Sequence, residues 1–487
     1  MSELTDFGLI VLIVAGSFSL ALGGHKLTEL VPIPAPAIFL AAAAVASDIW
    51  PGLSRLSTVD VERIAVVALV AILFDGGMHV GWDRFRAAAL PITALGVLGT
   101  FATAGIVAVA AHWLFDFGWT TAGIVGAALA PTDPAVMFSV LGRREIGGRT
   151  GTILEGESGA NDPVGIALMI GMLDYATHAG ASFWTVVREF AIEMSVGLAI
   201  GLAGAAVLLR LMRHVALPNE ALYPLRTLAL AGVIYGVASV AHGSGFLAVF
   251  VAGLLVGASR APYKGEIERF HTSLASLAEI VVFVALGLTV DLGSLDGRSV
   301  WLDGALLALI LAFVARPLAC APLLLPARLR TGERLFVLWG GLKGAVPILL
   351  AAFAVIAGAQ DAGRIYGIVF VVVLLSVVVQ GTSIPFVAPR LGVPMRLTER
   401  HGVARVEVAA GSRAEGHRIR ELPLAARTWV EAVERDGQEL PARGSTVLQA
   451  GDRVRLITDL GDVDTLRRLF GGERQAPDPA PTVPAEA

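Results

Sequence analysis

The chain has 487 residues, 55% of them hydrophobic and only 16% charged, with a mean hydropathy of +0.72, against about 25% charged for an average soluble domain. A formal net charge of -4 leaves no basic excess to draw nucleic acid. The single cysteine, Cys320, excludes a disulfide framework or a cysteine-based zinc site. Residues 399–487 carry 28 charged side chains in 89 positions, whereas the preceding 398 positions carry 50. A large membrane part followed by a small soluble part accounts for that imbalance.

A bilayer core needs about 20 mostly apolar residues per helix. Thirteen such segments follow one another: approximately 7–24, 31–48, 62–80, 88–113, 119–142, 152–174, 184–209, 222–241, 244–258, 273–291, 300–325, 335–357 and 365–388. The first is preceded by Glu3 and Asp6 and lacks an obvious cleavage site, so it reads as a retained span. Counting Lys and Arg in alternate loops gives seventeen on the side shared with the C-terminus and five on the other. Basic residues stay in the cytoplasm, so the N-terminus is expected outside and the C-terminus inside. Trp50, Trp113, Trp119, Trp184 and Trp301 then fall at outer helix ends, where an interfacial aromatic belt belongs.

Several ionisable residues lie inside these spans: Asp75, Asp133, Glu157, Asp162, Glu279, Arg316 and Lys343. Each costs at least about 2.5–3.5 kcal/mol at a helix centre, so each is a functional candidate or a member of a structural ion pair. In Ala130-Pro131-Thr132-Asp133-Pro134, two prolines three positions apart predict an interruption at Thr132 and Asp133. The freed carbonyls and half-helix ends suit a cation site; a kink capped by Asp133 is the plainer reading.

The next span holds Glu155-Gly156-Glu157-Ser158-Gly159-Ala160-Asn161-Asp162-Pro163. Helical spacing puts Glu157 and Asn161 on one face, with Asp162 about 100° around it and four positions from Ser158. Later, Gly340-Gly341-Leu342-Lys343-Gly344-Ala345-Val346-Pro347 buries a lysine among small residues, and Glu157 is the expected partner. Arg316 is expected to neutralise Glu279, Asp291 or the open carbonyls of a broken helix. Gln380-Gly381-Thr382-Ser383 is expected to form a second break, as the inverted-repeat counterpart of the first.

Two buried carboxylates beside an interrupted helix can hold a hard monovalent cation or a proton, but hardly both. Burial favours the protonated form and a bound cation the ionised one. Competition for Asp162 and Asp133 would drive cation and proton in opposite directions, with about one proton per cation because Asn161 cannot titrate. A ligand-gated cation channel is the alternative, although no Thr-Val-Gly-Tyr-Gly filter run is present. His79, His178 and His242 have no metal-ligand spacing and no Ser/His/Asp set is evident, which argues against an enzyme.

After Met395 the pattern shifts to short alternating segments at 405–410, 428–435 and 446–459, with a hairpin signal at Asp436-Gly437 and a closing helix at 462–470. The proline-rich end is expected to be disordered. The fold class is thus an α-helical polytopic membrane protein of about 13 transmembrane helices, plus a small cytoplasmic α+β domain. The expected divisions are 1–395, 400–472 and a tail at 473–487.

The strings Leu-Phe-Asp-Gly-Gly, Ala-Pro-Thr-Asp-Pro, Glu-Gly-Glu-Ser-Gly-Ala-Asn-Asp-Pro-Val and Gly-Gly-Leu-Lys-Gly-Ala-Val-Pro, in this order, resemble the cation:proton antiporter-1 family. More narrowly, the chain resembles that family's bacterial NhaP-type potassium/proton antiporters, which carry a C-terminal TrkA-C domain. The segment Glu407–Ser412, with Arg418–Pro423 and Leu448–Val454, resembles the TrkA-C part. The resemblance implies inverted repeats with interrupted helices, a homodimer in the bacterial inner membrane, no cofactor beyond the transported K⁺ or Na⁺ and H⁺, and a small anionic or nucleotide regulator at the C-terminal domain. It further implies that Asp162 carries the ion and the proton, that Asp133 and Thr132 belong to the interrupted helix, that Ser158 is a further ligand, and that Glu157 pairs with Lys343. Lys343 stands where the family more often has arginine, and Asp75 where it often has glutamate.

Overall fold

In the computed structural model, the described residues are 34–50, 57–133, 135–141, 144–178, 183–259, 261–290, 292–293, 298–397, 401–424, 428–440, 442, 444–459 and 463–471, with positions 8, 12, 15, 16 and 19. The chain divides into two compact units: residues 1–211, 224–259 and 268–396 in one, and 212–223, 260–267 and 397–487 in the other.

The first unit is helical. Its helices are α1 (Ala35–Ile49), α2 (Thr58–Val80), α3 (Ala89–Phe115), α4 (Trp119–Leu129), α5 (Ala135–Leu141), α6 (Gly148–Thr177), α7 (Phe183–His214), α8 (Leu222–Val240), α9 (Gly245–Gly257), α10 (Lys264–Leu288), α11 (Ser299–Cys320), α12 (Thr331–Trp339), α13 (Ala345–Ile356) and α14 (Ala362–Arg390). Among the described residues, seven helices are long and apolar enough to cross a membrane, and four shorter apolar helices join them. Helices dominate because a chain in lipid must satisfy every backbone N–H and C=O within its own segment. Every expected span from the second to the thirteenth falls on one or two of these helices, whereas most of the first lies outside the described residues, as do Asp291 and the tail at 473–487. All five tryptophans of the expected belt are exposed.

Small residues let helices approach closely. A β-carbon added at Gly77 of α2 would sit 2.5 Å from the Phe250 carbonyl oxygen of α9, the kind of backbone-to-backbone crossing that glycine permits in membranes. The side chain of Ser57 accepts from Asp60 N–H at 3.1 Å and caps the start of α2.

In the second unit, strands β1 (His401–Glu407), β2 (Trp429–Arg435), β3 (Gln438–Leu440) and β4 (Arg453–Asp459) form one antiparallel sheet in the order β1-β4-β2-β3, followed by α15 (Val463–Phe470). Asp436 and Gly437 both take positive φ in the turn joining β2 to β3, as the Asp-Gly signal predicts. Val408, Leu448, Val454, Leu456 and Phe470 make the small core. Arg435 donates to both carboxylate oxygens of the buried Asp452 at 2.7 and 2.8 Å. Burial pushes the Asp452 carboxyl up, but the Arg435 guanidinium and the Gln449 N–H hold it below the ordinary value of 3.8.

Candidate functional site

The site is built where two interrupted helices meet. Between α4 and α5, residues Pro131 to Asp133 leave the helix, as expected where a proline removes a donor and clashes with the preceding turn. The second interruption lies between α12 and α13, at residues 340–344, rather than at the expected 380–383. There α14 runs on through a π-helical stretch, Ser376–Gly381. Three glycines in Gly340-Gly341-Leu342-Lys343-Gly344 lower helix propensity, and the freed backbone groups find partners across the crossing. Leu342 accepts from Asp133 N–H at 2.8 Å, and Lys343 N–H donates to Ser376 Oγ at 3.0 Å. Ser376 Oγ in turn donates to Gln380 Oε1 at 2.6 Å, and Gln380 Nε2 to the Trp339 carbonyl at 3.3 Å. The polar residues of 376–383 therefore brace the second break instead of forming one.

Lys343 is 1% exposed, and its ammonium donates to the carbonyls of Ala130 and Pro131 at 2.9 and 2.8 Å. A cation there meets the carbonyl-bearing end of α4, where the helix dipole is negative. Glu157 does not pair with Lys343, which corrects the expected ion pair. Its carboxylate receives both arms of Arg316, at 2.8 and 3.1 Å. The same guanidinium donates to the Leu338 and Val337 carbonyls at 2.9 and 3.0 Å, at the end of α12. Arginine suits this place because its planar fork serves a carboxylate and two carbonyls at once, which a lysine cannot do. Of the partners expected for Arg316, the structure shows the open carbonyls of a broken helix rather than Glu279, and Asp291 lies outside the described residues. Each break thus has a buried cation on its carbonyl end.

On α6, Asn161 faces the first break. Its Nδ2 donates to Thr132 Oγ1 at 2.7 Å and its Oδ1 accepts from Thr132 N–H at 3.4 Å. Ser158 is buried on the same helix, four positions from Asp162. Asp162 is 5% exposed, and its Oδ1 has no hydrogen-bond partner. It lies within electrostatic reach of Asp133 and of Lys343. Asp75, on α2, accepts from Thr272 Oγ1 at 3.1 Å and faces His79 Nδ1 at 3.3 Å.

Two residues that complete the crossing carried a weak signal in the sequence: Ser376 and Gln380 are polar positions in a run of valines. A third signal was adjacency of a different kind. A side chain at Gly341 would collide with Arg316, so the second glycine of the Gly-Gly pair is what admits the arginine.

Crossed interrupted helices with compensated ends, and one buried carboxylate left open between them, define a polytopic secondary transporter rather than an enzyme or a soluble binding protein. The sodium/hydrogen exchanger transmembrane family matches residues 10–389, and the TrkA-C domain matches residues 403–471. The chain belongs to that exchanger family and carries a TrkA-C domain after its membrane part. It is 32% identical over 484 residues to the K(+)/H(+) antiporter NhaP of Alkalimonas amylolytica, covering 95% of this chain and 83% of that protein. It is 32% identical over 466 residues to the K(+)/H(+) antiporter NhaP2 of Shewanella sp. strain ANA-3, covering 92% and 80%. Identity to the Na(+)/H(+) antiporter NhaH of Halobacillus aidingensis is 26% over 356 residues, 70% of this chain and 86% of that one. The sodium proton antiporter MjNhaP1 from Methanocaldococcus jannaschii has the same fold, with a TM-score of 0.68 at 22% identity over 80% of this chain and 99% of that one.

Proposed function

We propose that the protein exchanges a monovalent cation, K⁺ in preference to Na⁺, for protons, with Asp162 and Asp133 as the shared cation and proton site and Thr132, Ser158 and Asn161 as its polar surround. The observation that carries this reading is the buried Asp162 carboxylate with an oxygen that nothing satisfies. Such a group must take up either a proton or a cation, and each excludes the other. At the crossing Glu157 is taken up by Arg316, and Asn161 beside Asp162 cannot titrate. That supports one proton per cation and an electroneutral cycle.

The preference for K⁺ rests on the relatives that match both parts of the chain, which are named K(+)/H(+) antiporters, whereas the Na(+)/H(+) relative matches 70% of it. The excess of loop Lys and Arg on one side supports a C-terminus in the cytoplasm of a bacterial inner membrane. The TrkA-C domain, residues 400–472, regulates exchange in a homodimer, and a small anion or nucleotide is the chemistry that fits Arg418 and Arg420, both exposed. No observation favours the ligand-gated channel.

In proteoliposomes holding an imposed pH difference, adding K⁺ dissipates the difference without generating current, with an apparent affinity that weakens as the pH falls. The Asp162→Asn variant inserts normally and leaves the pH difference standing. Cation transport at wild-type rate in that variant, or affinity indifferent to pH, would refute the assignment.

A further inference from the structure

The chain leaves the membrane part along a path that is held at every step. Helix α14, whose Ser376 and Gln380 brace the second break, ends in Arg390-Leu391-Gly392-Val393. Gly392 takes a φ of 64°, its N–H donates to the Pro389 carbonyl at 3.0 Å, and the Val393 N–H donates to the Ala388 carbonyl at 3.1 Å. This is a Schellman closure, in which a left-handed glycine ends the helix and its last carbonyls are satisfied. Val393 is buried, and the next carbonyl, that of Pro394, accepts from Gly147 N–H at 2.7 Å. Met395–Leu397 then form a strand that pairs with Arg144–Ile146 in a two-stranded sheet.

Gly147 caps the start of α6, the helix of Asn161 and Asp162, and Arg144–Ile146 lies in the connection from α5 to α6. Ile146 is buried, and a β-carbon added at Gly151 in the first turn of α6 would collide with its carbonyl oxygen. Contacts on another side reach α12. A β-carbon at Gly332 would collide with the Leu391 carbonyl oxygen, and the buried Thr150 of α6 donates through Oγ1 to Glu333 Oε1 at 3.2 Å. Glu333 Oε2 accepts from Arg330 N–H at 2.7 Å and so caps α12. Residues 391–397 are therefore fastened to α14, α6 and α12, of which α6 carries Asp162 and α12 runs into the second break. The passage from the first compact unit to the second falls inside this strand, at Arg396 and Leu397. A segment paired along its backbone passes a displacement on, where a flexible linker would absorb it.

We propose that residues 391–397 form a strap through which the state of the C-terminal module reaches the exchange site, by shifting the starts of α6 and α12 together. This deepens, and rests on, the readings of the module as regulatory and of Asp162 and Asp133 as the site. The strap itself touches no transported ion.

The test uses the full chain in proteoliposomes and reads the initial rate of K⁺-dependent proton movement. Two changes disconnect the module while leaving the strap in place. Val454→Asp puts a charge where Val454 is 0% exposed in the core of the module and unfolds it, checked as lost hydrogen-exchange protection over residues 401–471. Inserting about eight Gly and Ser residues after Thr398 turns the connection into a flexible coil. Each is expected to change the rate about fivefold or more, in the same direction, and the two together no further.

Gly147→Pro removes the N–H that holds Pro394, at a φ of -75° that proline accepts. In that background the response to Val454→Asp falls below about twofold, whereas Gly147→Ala, which keeps the N–H, leaves it whole. Gly332→Ala drives the Leu391 carbonyl away from α12 and blunts the response in the same way, so the test stands even where Gly147→Pro fails to insert. A full response to Val454→Asp in the Gly147→Pro or Gly332→Ala background overturns the strap and leaves the module regulatory. If neither Val454→Asp nor the insertion alters the rate, the module does not regulate exchange and the strap falls with that reading. Failure of the site assignment shows separately, as normal exchange by Asp162→Asn, and removes the target on which the strap acts.

Discussion

Glu157 and Asp162 stand five residues apart on α6, and both are buried, yet the structure treats them in opposite ways. Glu157 is closed by a two-armed arginine that also ties down the end of α12, so its charge is used up in holding the two interrupted helices together. Asp162 is left with an open oxygen beside a second carboxylate. One helix thus carries a closed ion pair and, a turn and a half away, a carboxylate with an unsatisfied oxygen, the group proposed above as the exchange site. A transport site needs both: a charge that never moves to fix the crossing, and a charge that must be neutralised from outside.

The largest expected effect comes from removing the proposed exchange carboxylate. Asp162→Asn ends cation-dependent proton movement while leaving the thermal stability of the purified protein near wild type. Breaking the permanent pair reverses that pattern. Glu157→Gln strands the Arg316 charge and costs about 3–5 kcal/mol, read as a large drop in unfolding temperature in detergent. If the two variants showed the same phenotype, the division of labour between them would be wrong.

Gly344→Ala sharpens the contrast, because a methyl group there collides with the carboxylate of Asp133. Displacing that group should slow exchange on the order of tenfold or more, measured as initial rate in vesicles, with a smaller loss of stability than Glu157→Gln. The smallest effect lies outside the membrane part. Asp452→Asn removes the charge and one of the two acceptors of the Arg435 fork and should cost the C-terminal module about 2 kcal/mol, seen as faster hydrogen exchange in residues 401–471. The Asp452 carboxyl is held below its ordinary value of 3.8, so its contribution is full above that pH and is lost as the pH falls through the lower, folded value. The wild-type and variant modules should therefore converge in acid.

Much of the candidate site was legible because its signals are local. Paired prolines around Asp133 announce an interruption wherever they fall, and four-residue spacing on a helix puts Asn161 beside Glu157 and Asp162 beside Ser158 without reference to anything else. Partners were harder. The sequence suggested Glu157 with Lys343 because both are buried and oppositely charged, and Arg316 answers that description equally well. Geometry chose between them: the fork fits a carboxylate and two carbonyls, while the compact ammonium fits two carbonyls of α4. The second interruption was sought at 380–383 by analogy of polar residues, but Ser376 and Gln380 are the braces and the glycine run at 340–344 is what opens.

Apolar run length, the sparsity of charge and the prolines at 131 and 134 settled by themselves that this chain is a polytopic membrane protein with an interrupted helix and a small C-terminal α+β module. These properties follow from each segment's own free energy in lipid or water. Tertiary structure alone decided that Arg316 rather than Lys343 closes Glu157 across 159 positions of sequence, that Lys343 caps α4, and that Asp162 is left open. Such pairings depend on where helices cross, and a glycine-rich run leaves its helical state only when a crossing neighbour accepts the hydrogen bonds it gives up.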